Sequence, residues 1–270
     1  MSTKSLGDRM KEYEQVTDFR LMKRSCVVLR LDGRAFHTLT SFMERPYDNN
    51  FIDLMNKTMV EVFNSFPDTT LGYVQSDEIS ILMCPYATYE TEPVFGVRIQ
   101  KISSVAASIA TQAFIKNLYK MTQSDDTKEW AEKCLNGNIT FDCRCFNIPK
   151  EEVINYFRFR QQDCTRNSIL SAGHFYIGKK KCHELKTPDI IEVLKEKGID
   201  YWSTWPNRVH FGRSCYRGED GHTKVYPLVY GMGAQSVVKA IDKMVDFDYE
   251  SRSEYVELLE VCKDDDEFCR

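Results

Sequence analysis

Residues 27–37 read Val-Val-Leu-Arg-Leu-Asp-Gly-Arg-Ala-Phe-His. An apolar, β-branched start running into Asp-Gly is the pattern of a buried strand that ends in a turn. It sets Asp32 at the mouth of a sheet, within reach of a ligand. A second stretch, residues 71–84, holds Ser76, Asp77 and Glu78 between two strand-like runs, as the turn of a β-hairpin does. Where the two turns meet at one sheet end, Asp32, Asp77 and Glu78 converge. Converging carboxylates repel unless a cation lies among them or one is protonated. Oxygen ligands beside a Gly-containing turn suit Mg²⁺, which takes one or two carboxylates plus substrate phosphates. Taken singly, Asp-Gly is a common turn former and Asp-Glu a common exposed hairpin pair. The order of elements along the chain is what joins them.

Working outward, residues 51–66 carry Phe51, Leu54, Met55, Met59, Val62 and Phe63 at helical spacing, between the first strand (27–31) and the hairpin strands (71–74 and 79–83). Residues 33–50 read as a loop. Residues 94–119 form a long helix rich in small residues, 130–138 a polar link, and 139–148 another strand. The order β-α-β-β-α-β predicts a ferredoxin-like α+β palm: an antiparallel sheet with helices on one face and strands one and three as central neighbours. That topology brings Asp32 and the Asp77–Glu78 turn to one end. Polymerases and nucleotidyl cyclases share this arrangement. Residues 6–20 suggest an N-terminal helix lying on this catalytic part, which spans 1–148. The texture changes after Pro149, and 149–270 is expected to be a mixed helical and β part. It includes helices at 151–163 and 187–197, an aromatic and basic stretch at 201–216, and a Tyr-Pro-Leu-Val-Tyr-Gly run from Tyr226.

Composition narrows the class. With 270 residues, 42% of them hydrophobic and 28% charged, the chain has enough for one large domain or two modest ones. No apolar run is long enough to span a bilayer. Residues 1–15 carry Asp8, Glu12 and Glu14 and no signal-like apolar core, so a cytoplasmic location is expected. The ten cysteines then read as reduced thiols. Neither Cys143-x-Cys145 nor Cys182-His183 has zinc-finger spacing. A net charge of −4 excludes a polycation, so any RNA must meet a local basic face. Arg158, Arg160, Arg166 and Lys179, Lys180 and Lys181 are the candidates for phosphate contacts. The acidic run 264–267 reads as a solvated tail.

Four motifs in order carry a resemblance. Residues 30–37 (Arg-Leu-Asp-Gly-Arg-Ala-Phe-His), Gln75-Ser76-Asp77-Glu78, Phe141-Asp142-Cys143-Arg144 and Arg160-Gln161-Gln162-Asp163-Cys164 closely resemble the tRNA(His) guanylyltransferase family and its Thg1-like relatives. The resemblance covers residues 6–171 and is looser beyond. It implies two Mg²⁺ ions held by the Asp32 and Asp77 carboxylates and the Gly33 carbonyl, with Glu78 as the acidic neighbour in the catalytic set. It implies that Arg34, Ala35, Phe36 and His37 wrap a nucleotide, that Ser76 contacts phosphate, and that Arg45 and Asp48 also belong to the nucleotide site. Arg98 and Lys101 would meet the triphosphate. ATP and GTP or other nucleoside triphosphates are the implied substrates, the tRNA acceptor stem the partner, and a homotetramer the assembly, with residues 149–270 contributing RNA binding and oligomer contacts. The implied reaction is 3′–5′ addition to a tRNA 5′ end. One departure is informative. The tRNA(His) enzymes carry a His-Ile-Asn-Asn type run after Asp-Cys, and here it is Thr165-Arg166-Asn167-Ser168, with only Asn167 in register. That replacement resembles the Thg1-like branch, which repairs truncated tRNAs, rather than enzymes dedicated to tRNA(His). A nucleotidyl cyclase and a non-catalytic RNA-binding module are the competing readings. The basic second half argues against the first and the carboxylate pair against the second.

Overall fold

The computed structural model describes residues 4–85, 91–217 and 223–226. Helix α1 (Leu6–Gln15) is followed by strand β1 (Cys26–Gly33), a one-turn helix α2 (Phe36–Leu39) and helix α3 (Asn49–Asn64). Strands β2 (Thr69–Gln75) and β3 (Glu78–Met83) form the hairpin. Helices α4 (Ile99–Met121) and α5 (Lys128–Leu135) precede strand β4 (Phe141–Ile148). Beyond it come α6 (Val153–Tyr176), α7 (Lys179–Cys182), α8 (Thr187–Glu196), α9 (Tyr201–Thr204), α10 (Asn207–Phe211), β5 (Arg213–Arg217) and β6 (Thr223–Tyr226). The run from β1 to β4 is the βαββαβ palm.

The strand order is β4-β1-β3-β2-β5-β6, and every pairing is antiparallel. Residues directly opposite across such a ladder share a face. Leu29, Ile81, Gly72, Cys145 and Cys215 are linked this way on one face, and Arg30, Ser80, Tyr73, Arg144 and Ser214 on the other. The apolar face receives α3 through Met55, Met59 and Phe63 and α4 through Ile102, Ala106 and Phe114, all buried. Each large side chain so buried contributes about 1.5–3 kcal/mol before entropy is counted. The polar face is partly covered by α6. Phe157 sets its ring edge-on against Tyr73 at 6.4 Å, and the Tyr156 and Ser80 hydroxyls lie 3.1 Å apart. Helices of the palm therefore keep to one face, and the second half of the chain supplies a helix to the other.

The second half also extends the sheet. Strand β5 pairs with β2 from Leu71↔Tyr216 to Val74↔Arg213. A smaller apolar cluster, with Ile169, Ala172, Cys182, Ile190, Leu194 and Tyr201, joins α6 to α7, α8 and α9. Two local expectations are corrected. Residues 130–138 are not a polar link; α5 occupies most of them, and its Ala131 and Cys134 are buried. Residues 33–50 contain α2, whose Phe36 and Leu39 are buried. Helix α1 contributes no buried residue. The eight cysteines of the described residues are free thiols. No helix among these residues is long and apolar enough to cross a membrane. The Tyr-Pro run from residue 227 onward and the acidic run 264–267 lie outside the described residues.

The chain enters β5 at Gly212, where φ is +73° and an added Cβ would stand 2.5 Å from the Val74 carbonyl oxygen. Such a conformation alone costs a side-chain-bearing residue about 1–3 kcal/mol. Gly212→Ala is expected to lower the urea unfolding midpoint by at least that equivalent. An unchanged midpoint would show that β5 is not seated on β2 as described.

Candidate active site

Asp32 lies at the end of β1, opposite Glu78 of β3 on one side and Asp142 of β4 on the other. All three carboxylates therefore emerge on the polar face. Asp77 sits in the hairpin turn beside them. The Gly33 N–H donates to the Asp77 carbonyl at 3.1 Å, which ties the two turns together. Ser76 holds φ at +47° and Ala35 at +56°, so both turns use left-handed residues. Only glycine fits at 33, because a Cβ there would lie 2.5–2.8 Å from the Phe36 ring.

The charges are unequally compensated. Glu78 is pinned by two arginines: Arg30 meets one carboxylate oxygen and Arg160 the other, the latter at 2.6 Å. No lysine or arginine among the described residues forms an ion pair with Asp77. Burial first, and then the nearby Asp32, push its carboxyl up to about 6. Burial, then Glu78 and Asp142, likewise raise the Asp32 carboxyl above its ordinary value. Two half-buried carboxylates that resist ionising, on turns tied by the Gly33–Asp77 hydrogen bond, are oxygen donors of the kind that suits a divalent cation. Among the described residues no group of three or more His, Cys, Asp or Glu side chains is arranged to hold a metal. Asp32 and Asp77 are the pair here that could hold such an ion, since Mg²⁺ takes one or two carboxylates plus substrate phosphates.

A cavity of ≈ 750 Å³ opens beside Asp77. It is bordered by Phe36, His37, Arg45, Asp48, Ser76, Asn167 and Lys179, and also by His174, Arg208 and Arg213 from the second half. Arg208 and Arg213 belong to the aromatic and basic stretch 201–216, which the sequence did not assign to this site, and nothing in the local spacing of His174 marks it. Arg98 and Lys101 are not part of this cavity. They line a separate groove of ≈ 810 Å³ together with Lys11 and Arg20. There Asp18 pairs with Arg20 at 2.8 Å and with Arg98 at 3.9 Å, and Lys101 lies over the Phe95 ring at 5.1 Å.

Several expected site residues have structural duties. Asp48 caps α3 by accepting from Phe51 N at 3.0 Å, and it also accepts from Trp130 Nε1 at 3.0 Å. Phe36 packs against Phe114 and Phe141 at 5.4 and 5.0 Å. Arg45 donates to the Thr40 carbonyl at 2.9 Å. Arg34 and His37 are exposed. Arg160 departs most from expectation. It is only 3% exposed and paired with Glu78 and Asp163, so it does not offer its guanidinium to an outer phosphate. Arg158 is half-buried, whereas Arg166, Asn167 and Lys179, Lys180 and Lys181 are exposed. Arg166 pairs with Asp163.

An antiparallel palm with two under-compensated carboxylates at the β1–β3 end, beside a cavity of nucleotide size, defines a nucleotidyl-transfer fold. Residues 7–149 match the family model described as tRNAHis guanylyltransferase (Thg1), and the chain belongs to that family of nucleotidyltransferases. An uncharacterized protein of Acanthamoeba polyphaga mimivirus is 29% identical over 217 residues, 74% of this chain and 73% of that one. The probable tRNA(His) guanylyltransferase of Dictyostelium discoideum is 32% identical over 171 residues, and the match spans 61% of this chain and 62% of the relative. Among solved structures, a bacterial tRNA(His) guanylyltransferase (Thg1)-like protein in complex with ATP superposes with a TM-score of 0.76 at 30% identity. That match covers 89% of this chain and 99% of the other. The complex of such a bacterial protein with GTP gives 0.67 at 27% identity, with the same coverage.

The Asp77 carboxyl sets a pH dependence in the metal-free protein. Its folded value is raised from 3.8 to about 6, so its protonated form stabilises the fold at low pH, and this contribution is lost as pH rises through about 6. Asp77→Asn should therefore gain stability relative to the native chain over that interval, read as urea midpoints at successive pH values. Added Mg²⁺ above that interval should narrow the gap. A difference independent of pH would contradict the burial of this carboxylate.

Proposed function

We propose that this chain is a template-dependent 3′–5′ nucleotidyltransferase that restores missing nucleotides at the 5′ end of truncated tRNA. The observation that carries the reading is the carboxylate pair Asp32 and Asp77, tied by the Gly33–Asp77 hydrogen bond, with no direct ion pair to a lysine or arginine among the described residues and with carboxyls raised chiefly by burial. Family membership and the likeness to nucleotide-bound Thg1-like structures support it.

In this reading the Asp32 and Asp77 carboxylates and the Gly33 carbonyl hold two Mg²⁺ ions. Such ions, when bound, activate an attacking oxygen and neutralise a leaving phosphate. The side chains do little covalent work; they position and neutralise. Ser76, His37 and Arg45 border the cavity that would take the activating nucleotide. Arg20 joins Arg98 and Lys101 as the cationic wall for a triphosphate. A 5′-phosphate oxygen of the RNA attacks the α-phosphorus of ATP, and pyrophosphate leaves. The 3′-hydroxyl of the incoming nucleoside triphosphate then attacks the RNA 5′ phosphorus, and AMP leaves with the bonding pair. The new end carries a triphosphate. Base pairing with the opposite strand of the acceptor stem selects the nucleotide.

The exposed Arg166, Asn167 and Lys179, Lys180 and Lys181 are the proposed RNA contacts, with Arg158 beside them. Phosphate contacts of this kind position an RNA without reading its sequence. Within 165–168, Thr165 donates its hydroxyl to the His210 carbonyl at 2.8 Å, which leaves Arg166 and Asn167 to face outward. That run supports broad tRNA use over selection of tRNA(His), the alternative within the family. The homotetramer is supported by α1 and the segment after it, where Leu6, Met10, Tyr13, Val16, Phe19 and Met22 are all exposed.

Asp32→Ala and Asp77→Ala should each lower nucleotide addition by about 100-fold or more, the scale of losing a group that stabilises transition-state charge, while leaving the circular dichroism spectrum intact. Addition at native rates in either variant would displace the metal site. A 5′-labelled, 5′-truncated non-histidine tRNA, given each triphosphate in turn, should be extended by the templated nucleotide more efficiently than full-length tRNA(His) at the same salt. A strong preference for full-length tRNA(His) that is lost on changing its anticodon would return the chain to the histidine-specific activity.

A further inference from the structure

Arg160 falls on the buried stripe of α6 with Val153, Phe157 and Cys164, all apolar neighbours at helical spacing. A hydrophobic side chain there would pack as they do. Buried ion pairs seldom stabilise a fold beyond what such a replacement gives, because the lost hydration offsets the attraction. The charge at 160 therefore calls for another explanation, and its partners supply one. Arg160 meets Glu78 at 2.6 Å and Asp163 at 3.4 Å, and the Gln75 side-chain amide lies 3.4 Å from both of those carboxylates. Arg30 holds the other oxygen of Glu78. Glu78 is in turn the chain neighbour of Asp77 and the register partner of Asp32.

We propose that Arg160 is a positioning residue that, with Arg30, withholds Glu78 from the metal, so that only Asp32 and Asp77 are left to capture divalent cations. This rests on the reading of those two aspartates as metal ligands. A Glu78 released from Arg160 stands beside Asp32 across the ladder, at a spacing where opposite side chains interact directly. It adds a third carboxylate to a site arranged for two, and a cation then binds more firmly in a place displaced from the reacting phosphates. Arg30 alone cannot prevent this, because it occupies one oxygen and leaves the other with only the neutral Gln75 amide at 3.4 Å.

The test is Mn²⁺ binding to the full chain without nucleotide, followed by the loss of the free-ion electron paramagnetic resonance signal, alongside turnover on a 5′-truncated tRNA. Arg160→Met should bind Mn²⁺ about tenfold more tightly, the scale on which one nearby charge acts, and turn over more slowly. Damage to the site by misfolding would weaken binding instead. Arg160→Lys should keep native affinity. The double variant Glu78→Gln with Arg160→Met should return to within about twofold of native affinity, since no released carboxylate remains to compete. Where Arg160→Met does not fold, Arg160→Gln, which keeps an N–H donor but no charge, is read in the same way. Unchanged or weaker Mn²⁺ binding in the folded single variant overturns the proposal. Asp77→Ala separates the two failures. If it abolishes Mn²⁺ binding while Arg160→Met changes nothing, only the role of Arg160 falls. If Asp77→Ala binds Mn²⁺ normally, the metal assignment falls and the proposal with it.

Discussion

The Phe36 ring occupies the space that a side chain at position 33 would need, and much of the site's geometry depends on that close approach. Phe36 is held by Phe114 of α4 and Phe141 of β4, so the turn after β1 is folded down onto the core rather than left to solvent. With no Cβ in the way, the backbone at Gly33 lies flat enough for its N–H to reach the Asp77 carbonyl. A hydrophobic contact thus sets the separation of two polar turns. The preference of phenylalanine for the interior is what aims Asp32.

Electrostatics then divides the carboxylates into two kinds. Glu78 is ion-paired at both oxygens, whereas Asp32 feels Arg30 and Arg144 only at a distance and Asp77 has hydrogen bonds from Ser76 and its own N–H but no ion pair. Leaving buried charge uncompensated works against folding, and natural proteins accept it where chemistry requires it. The polar face of the sheet makes the arrangement tolerable, because α6 brings its own arginine and aspartate to meet the sheet's charges. The apolar face, packed by α3 and α4, supplies the stability that the polar face does not.

Much of this was legible in the sequence. Apolar runs ending at Asp-Gly and at Ser-Asp-Glu marked strand ends, and the βαββαβ order brought them together before any distance was known. What escaped has physical reasons. Helix α5 is short and half charged, and it buries little beyond Ala131 and Cys134, so its period was hidden. Asp48 reads equally as a ligand and as a helix cap; only the hydrogen bonds to Phe51 and Trp130 decide what it does for the fold. Arg160 was legible in principle, since Val153, Phe157 and Cys164 put it on the buried side of its helix. A motif rich in charge drew attention to phosphate contacts instead. The groove shared by Arg20, Arg98 and Lys101 joins the segment before β1 to the start of α4, and no local pattern in either segment announces the other.

The pairing of β5 with β2 has a consequence for how the chain holds together. The family match ends at residue 149, yet β2 has a strand on each side only because residues 213–217 return to it. A fragment cut after the palm would leave β2 as a bare edge, with Gly72 no longer covered by Cys215 and a row of main-chain donors and acceptors open to any other strand. The palm and the part of the chain after residue 149 therefore share one hydrogen-bonded sheet, and the palm is not a separable cassette.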